Sequence, residues 1–142
     1  MISTHAAAAL PTTVRSAATL TDRGDHLLPT AAALRPLLPD GGLRRGTTVG
    51  VTGIGMTSLS FALMAEVTTT GGWCAAVGFD ALGLLAAAEA GVALERLVLV
   101  CDPGAEWPTI VAALLDAFEI VLLRPSTRAS GALQRRLAAR LR

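Results

Sequence analysis

The chain has 142 residues, 52% of them hydrophobic and 16% charged, and a formal net charge of +1. That balance excludes a wholly disordered protein and any global pull toward nucleic acid or anionic membrane, and the length suits one domain with a single core. All 12 basic residues are arginine, and after Glu119 no acidic residue accompanies Arg124, Arg128, Arg135, Arg136, Arg140 and Arg142, so the C-terminal stretch is locally cationic.

Met1 to about Asp25 is rich in Ala and Thr with little periodicity, and reads as a mobile arm spanning 1–26 ahead of a domain at 27–142. It has no basic leader and no sufficient apolar run for a signal peptide. His26 to Leu38 repeats Leu and Ala around Pro29 and Pro36, predicting a short helix ended by the turn Pro39-Asp40-Gly41-Gly42. Thr47 to Thr52 reads as a first strand, and Ser58 to about Thr69 as a helix stopped at Gly71-Gly72. Trp73 to Phe79 is a second strand. Ala81 to Ala90 is an Ala/Leu helix closing at Gly91, and Arg96 to Cys101 a third strand. Glu106 to Ala117 is a helix with Pro108 in its first turn, Phe118 to Leu123 a fourth strand, and Ser126 to Arg142 a basic helix.

Strands alternating with helices through short links predict an α/β fold with a mainly parallel sheet and helices on both faces. Ligands on such sheets sit at the carboxyl ends of the strands, here Gly53 to Ser58, Asp80, Asp102 and Arg124. Ala81 to Val100 is the most hydrophobic stretch, but Glu89, Gly91, Glu95 and Arg96 interrupt it, so no membrane span is expected and the default location is the cytoplasm. Cys74 and Cys101 lie in apolar runs without CxxC spacing and read as buried reduced thiols. With only His5 and His26 as histidines, no metal site is expected.

The stretch Gly41-Gly42-Leu43-Arg44-Arg45-Gly46 to Ser58 orders a turn, a β-branched run, a glycine loop and a hydroxyl pair opening an apolar helix. That order is how a P-loop cradles phosphate with backbone N–H groups and a helix N-terminus. Met56 stands where the phosphate-binding lysine belongs.

These residues resemble the ATP-binding core of the RecA recombinases, where a Gly-Gly-Leu-x-x-Gly turn leads into the P-loop strand. Thr57-Ser58-Leu59 resembles the hydroxyl pair of the P-loop helix, Trp73 to Asp80 the second strand, Gly91-Val92 with Leu97 to Cys101 the third, and Glu119 to Leu123 the Walker B strand. The resemblance covers about 27–142 and implies a RecA-like three-layer fold. Against it, Met56 replaces lysine, Arg124 follows the fourth strand where the family has a magnesium-associated Asp, and Leu82 stands at the catalytic Glu position. These parts act together on phosphates and Mg²⁺, so hydrolysis is not expected and no catalytic residue is named.

A RecA-like core with an eroded site is similar to the actinobacterial ImuA-type proteins, accessory factors of inducible, SOS-type mutagenesis. That resemblance implies a role in DNA repair by translesion synthesis. The implied partner is a Y-family polymerase-like protein of a mutasome, and DNA is touched, if at all, indirectly. Two other readings stay open: a weak P-loop ATP-binding protein or ATPase acting on DNA, and a SulA-like inhibitor of cell division.

Two groups of residues carry the site expectations. Gly53, Gly55, Thr57 and Ser58 form either a weak nucleotide site, with ATP as its ligand, or a strand-to-helix turn with Thr57 or Ser58 as N-cap and Met56 packed among helices. On the terminal helix Leu133, Leu137 and Leu141 make an apolar stripe, with Arg128, Arg135 and Arg142 roughly opposite and Arg136 and Arg140 flanking it. That surface reads as a solvated basic face, a helix docking into a partner's groove, or a DNA-backbone contact. Asp80 and Asp102 read as turn residues rather than metal ligands, Arg124 as their ion-pair partner, and Trp107 as a core anchor.

Overall fold

Cys74-Ala75-Ala76-Val77, strand β1, is buried at every position, which a four-residue strand achieves only with neighbours on both edges and cover on both faces. The computed structural model describes residues 27–125 and 131–140, without the side chains of Leu133, Gln134, Ala138 and Arg140. Residues 1–26, the expected arm, lie outside the described part, as do 126–130 and 141–142.

Before β1 comes helix α1 (Met56–Thr69), and after it α2 (Leu84–Glu89), strand β2 (Leu97–Val100), α3 (Trp107–Leu115), strand β3 (Ile120–Leu123) and α4 (Gly131–Arg140). The strands form one parallel sheet in the order β2-β1-β3, with Cys74 beside Leu97 on one edge and Ile120 on the other. Successive residues alternate faces. Cys74, Leu97, Ile120 and Leu122 meet Phe61, Met64 and Val67 of α1 and Ala87 of α2. Val77, Val100, Val121 and Leu123 meet Trp107, Val111 and Leu114 of α3 and Leu137 of α4. The fold is thus mixed α/β, a small parallel sheet packed between helices on both faces. Ala75 and Ala76 keep the centre thin enough for both layers to close on it.

The apolar runs locate three of the four expected strands. The fourth expectation, Thr47 to Thr52 as a paired strand, is corrected: these residues form no ladder and, apart from the half-buried Val51, are exposed. Five of the six are β-branched, but local preference for extended backbone does not create a hydrogen-bonding neighbour. The helix expected from His26 to Leu38 is instead a pair of 3₁₀ turns, Arg35–Leu37 and Pro39–Gly41. Pro36 and Pro39 each restrict the residue before them and remove a donor, leaving no room for an α-helical run. Ahead of these turns Leu27 bridges Arg44 in antiparallel sense, and the amide of Leu28 donates to the Leu43 carbonyl at 2.8 Å, which seats Leu28 on the α1 side of the core.

Two long-range ties close the layers. The buried Thr68 hydroxyl donates to the Met64 carbonyl and accepts from the Ala93 amide at 3.0 Å, fixing the lead-in of β2 to the end of α1. The Arg45 guanidinium contacts the Glu119 carboxylate, tying the turn before Gly46 to the residue ahead of β3. At the amino ends of the strands Trp73 lies edge-on to Phe118 with centroids 6.3 Å apart, and the Arg96 guanidinium sits over the Trp73 ring at 5.1 Å.

Cys101, expected to be buried, is exposed because β2 ends at Val100. Cys74 is buried, and desolvation pushes its thiol up to about 12, offset in part by a backbone hydrogen bond at Ile120. The folded state therefore holds the thiol neutral where the unfolded chain would ionise it. Its contribution is complete below the unfolded value of 9.0 and lost as pH climbs toward about 12. With no lysine and no tyrosine in the chain, few other groups titrate there. Denaturant titrations from pH 9 to 12 should show stability falling by up to about 1.4 kcal/mol per pH unit, and Cys74→Ala should flatten the fall.

Gly78 follows β1 at φ +81°, and its amide donates to the Val100 carbonyl at 2.8 Å. A β-carbon there would stand 2.2 Å from the Arg124 carbonyl oxygen, a main-chain atom held by the bond from the Arg124 amide to the Val77 carbonyl. Gly78→Ala should cost about 3 kcal/mol or more, read from chemical unfolding, since it adds both a main-chain clash and left-handed strain.

Candidate functional site

α1 begins where sequence and sheet geometry both place a ligand end. Because β1 and α1 are joined through Gly71-Gly72 at the amino ends of the strands, the N-terminus of α1 stands at the carboxyl ends. The chain reaches it through Gly53 at φ +98° and Gly55 at φ +83°, both in open space. Only glycine adopts that pair of conformations freely, so the bend is encoded by its two glycines.

Gly55 itself is the N-cap, and no side chain caps the helix. The expectation that Thr57 or Ser58 caps it is therefore corrected: both lie inside the first turn and are exposed. The Leu59 amide donates to the Gly55 carbonyl at 2.9 Å, and the Ser60 hydroxyl to the Met56 carbonyl at 2.8 Å. The structure thus brings Gly53, Gly55, Thr57 and Ser58 together at one helix start, as the sequence indicates.

What surrounds them is apolar. Ile54 is fully exposed, Met56 half exposed and Leu59 39% exposed. Met56 is therefore not packed among helices, contrary to expectation. Leu84 and Leu85 open α2, which also starts at the carboxyl end, and they add exposed apolar surface there.

Charges at this end are sparse. Asp80, Asp102 and Arg124 are exposed, and Arg124 pairs with neither aspartate, contrary to expectation. Asp102 instead accepts from the Gly104 amide at 3.2 Å, closing the turn its sequence predicts. Arg44 and Arg45, the nearest basic residues in sequence before the bend, are engaged with Asp40 and Glu119. At the carboxyl ends of β1 and β3 the two segments pass closely, since a β-carbon on Gly78 would meet the Arg124 carbonyl.

The second predicted surface is divided. Leu137 is half-buried against the cluster of Val77, Trp107 and Val111, so this leucine contributes to the protein's own core. Trp107 is a core anchor, as expected. Arg135 and Arg136 are exposed on α4. Arg136 and Leu137 border a cavity of about 510 Å³ against Pro108, Thr109, Ala112, Ala113 and Asp116 of α3. Arg128 lies outside the described residues, and the side chains of Leu133 and Arg140 are likewise not described.

Sequence reasoning missed the Arg45–Glu119 clasp and the Gly78–Arg124 contact, each of which joins residues far apart in the chain and leaves no local signal. Among the described residues no helix is long and apolar enough to cross a membrane.

Residues 36–142 match the profile of a family described as the MT3502 N-terminal domain. An uncharacterised protein of Mycobacterium tuberculosis (strain ATCC 25618 / H37Rv), Rv3395c, is 43% identical over 76 residues, which is 54% of this chain and 37% of that protein. The chain thus spans little more than a third of the length of this relative. With the family match running through the sheet, its helices and the glycine bend, the chain belongs to the MT3502 N-terminal domain family.

Proposed function

We propose that the protein is a non-catalytic, RecA-like accessory factor in damage-induced mutagenesis, working by protein–protein contact. The observation that carries this reading is the chemistry of the Gly53–Ser58 bend. Two glycines at positive φ shape it, but it offers solvent Ile54, Met56 and Leu59 where a nucleotide site needs cations. A triphosphate placed there would meet main-chain amides and no lysine, losing most of the charge complementarity that binds it. An apolar segment of a partner would instead bury those side chains, at roughly 25 cal/mol for each Å² removed from water. The partner implied by the ImuA-type resemblance is a Y-family polymerase-like protein, and Arg135 and Arg136 of α4 are exposed as a separate basic surface.

A second reading is favoured by one observation, the exposed Arg124 at the same end of the sheet as the two positive-φ glycines. Together these could hold a nucleotide weakly, with arginine in place of lysine.

Capture from DNA-damaged cells followed by mass spectrometry separates the two. The accessory reading expects a polymerase homologue with the wild type and at least about tenfold less with Ile54→Asp/Met56→Asp, a loss that a few buried apolar side chains account for. It also expects no Mg²⁺-dependent phosphate release. ATP turnover that disappears in Gly55→Asp would establish the nucleotide reading in its place.

A further inference from the structure

Among the described residues the outer edge of β3 has no strand beside it, yet the chain is held next to it. Thr47, Thr48, Val49 and Val51 on one side and Phe118 to Leu122 on the other line a cavity of about 350 Å³, with Ser60, Leu63 and Met64 of α1 also lining it. The segment is fixed at both ends. The Arg45–Glu119 clasp pins its start at the amino end of β3, and α1, packed on the sheet, pins its finish at the carboxyl end. It therefore runs along β3 in the same direction, at the position a fourth parallel strand would take. Its composition fits that place, with Thr47, Thr48, Val49, Val51 and Thr52 all β-branched, and Gly46 and Gly53, both at positive φ, bounding it.

We infer that Thr47–Thr52 is a strap with two arrangements: the open one observed, and a closed one in which it pairs with the free edge of β3 and fills the cavity. Closing gives partners to the β3 main-chain groups that point away from β1, groups that otherwise invite pairing with another chain. It also turns Val49, 54% exposed in the open form, or Val51 toward Leu63 and Met64. Because the strap continues directly into Gly53-Ile54-Gly55, its closure sets the aim of the apolar bend. A ligand or partner that prefers one aim then shifts the strap, by its difference in affinity for the two forms. The inference stands on the cavity and the free edge, and holds whatever binds the bend.

Two measurements test it on the full chain. Hydrogen exchange of the wild type should show alternate amides of Thr47–Thr52 slowed at least about tenfold relative to an unstructured peptide, and Val51→Pro should remove that protection while leaving β1 unchanged. Paired cysteines report the same approach directly, since neighbouring strands lie within disulfide reach. In a Cys101→Ser background, Val49→Cys with Val121→Cys or with Leu122→Cys should cross-link under mild oxidation, and Val49→Cys with Val98→Cys on the far strand should not. Exchange at unprotected rates throughout Thr47–Thr52, or cross-linking no faster than the far-strand control, overturns the two-state strap.

Discussion

The two-sided burial of β1 is the constraint on which the other layers rest. Four residues with small or slender side chains contact α1 and α2 through one face and α3 and α4 through the other, while both edges carry parallel partners. Nothing larger than valine fits in that strand without parting the layers. Its exit is equally constrained: Gly78 must be glycine because β3's continuation, through the Arg124 carbonyl, passes through the space a side chain would occupy.

The candidate site lies at the carboxyl ends of the strands, where α1 and α2 begin. The glycine bend and the first turns of α1 and α2 stand clear of the three paired strands, and they are greasy rather than charged. A helix N-terminus favours anions through its dipole, but that preference falls off within the first turn and is modest for exposed groups. Against it stand Ile54, Met56, Leu84 and Leu85, whose shared preference is to leave water. That chemistry is the ground for the proposed apolar contact.

Much of the sheet was legible from sequence because its signals are redundant. Leu97 to Val100 and Ile120 to Leu123 are unbroken apolar runs, and each has a turn on either side. The glycines at 53 and 55 announced a bend, and the bend is there. The failures occur where the deciding partner is remote. Thr47–Thr52 has every local mark of a strand but is left unpaired beside β3. Leu137 carries the pattern of a leucine stripe, which says that one face is apolar but not whose core it joins. Cys101 ends an apolar run and falls just past the strand, where one residue separates burial from solvent.

The chain contains two tryptophans and no tyrosine, and the fold gives the two indoles opposite surroundings. Trp107, the first residue of α3, is sealed against Val77 of the sheet, while Trp73 sits at the rim under the guanidinium of Arg96. Near-ultraviolet light therefore excites a pair of internal lamps, one blue-shifted and shielded, the other red-shifted and open to collisional quenchers. One layer of helices can be watched loosening independently of the opposite rim, with no label attached.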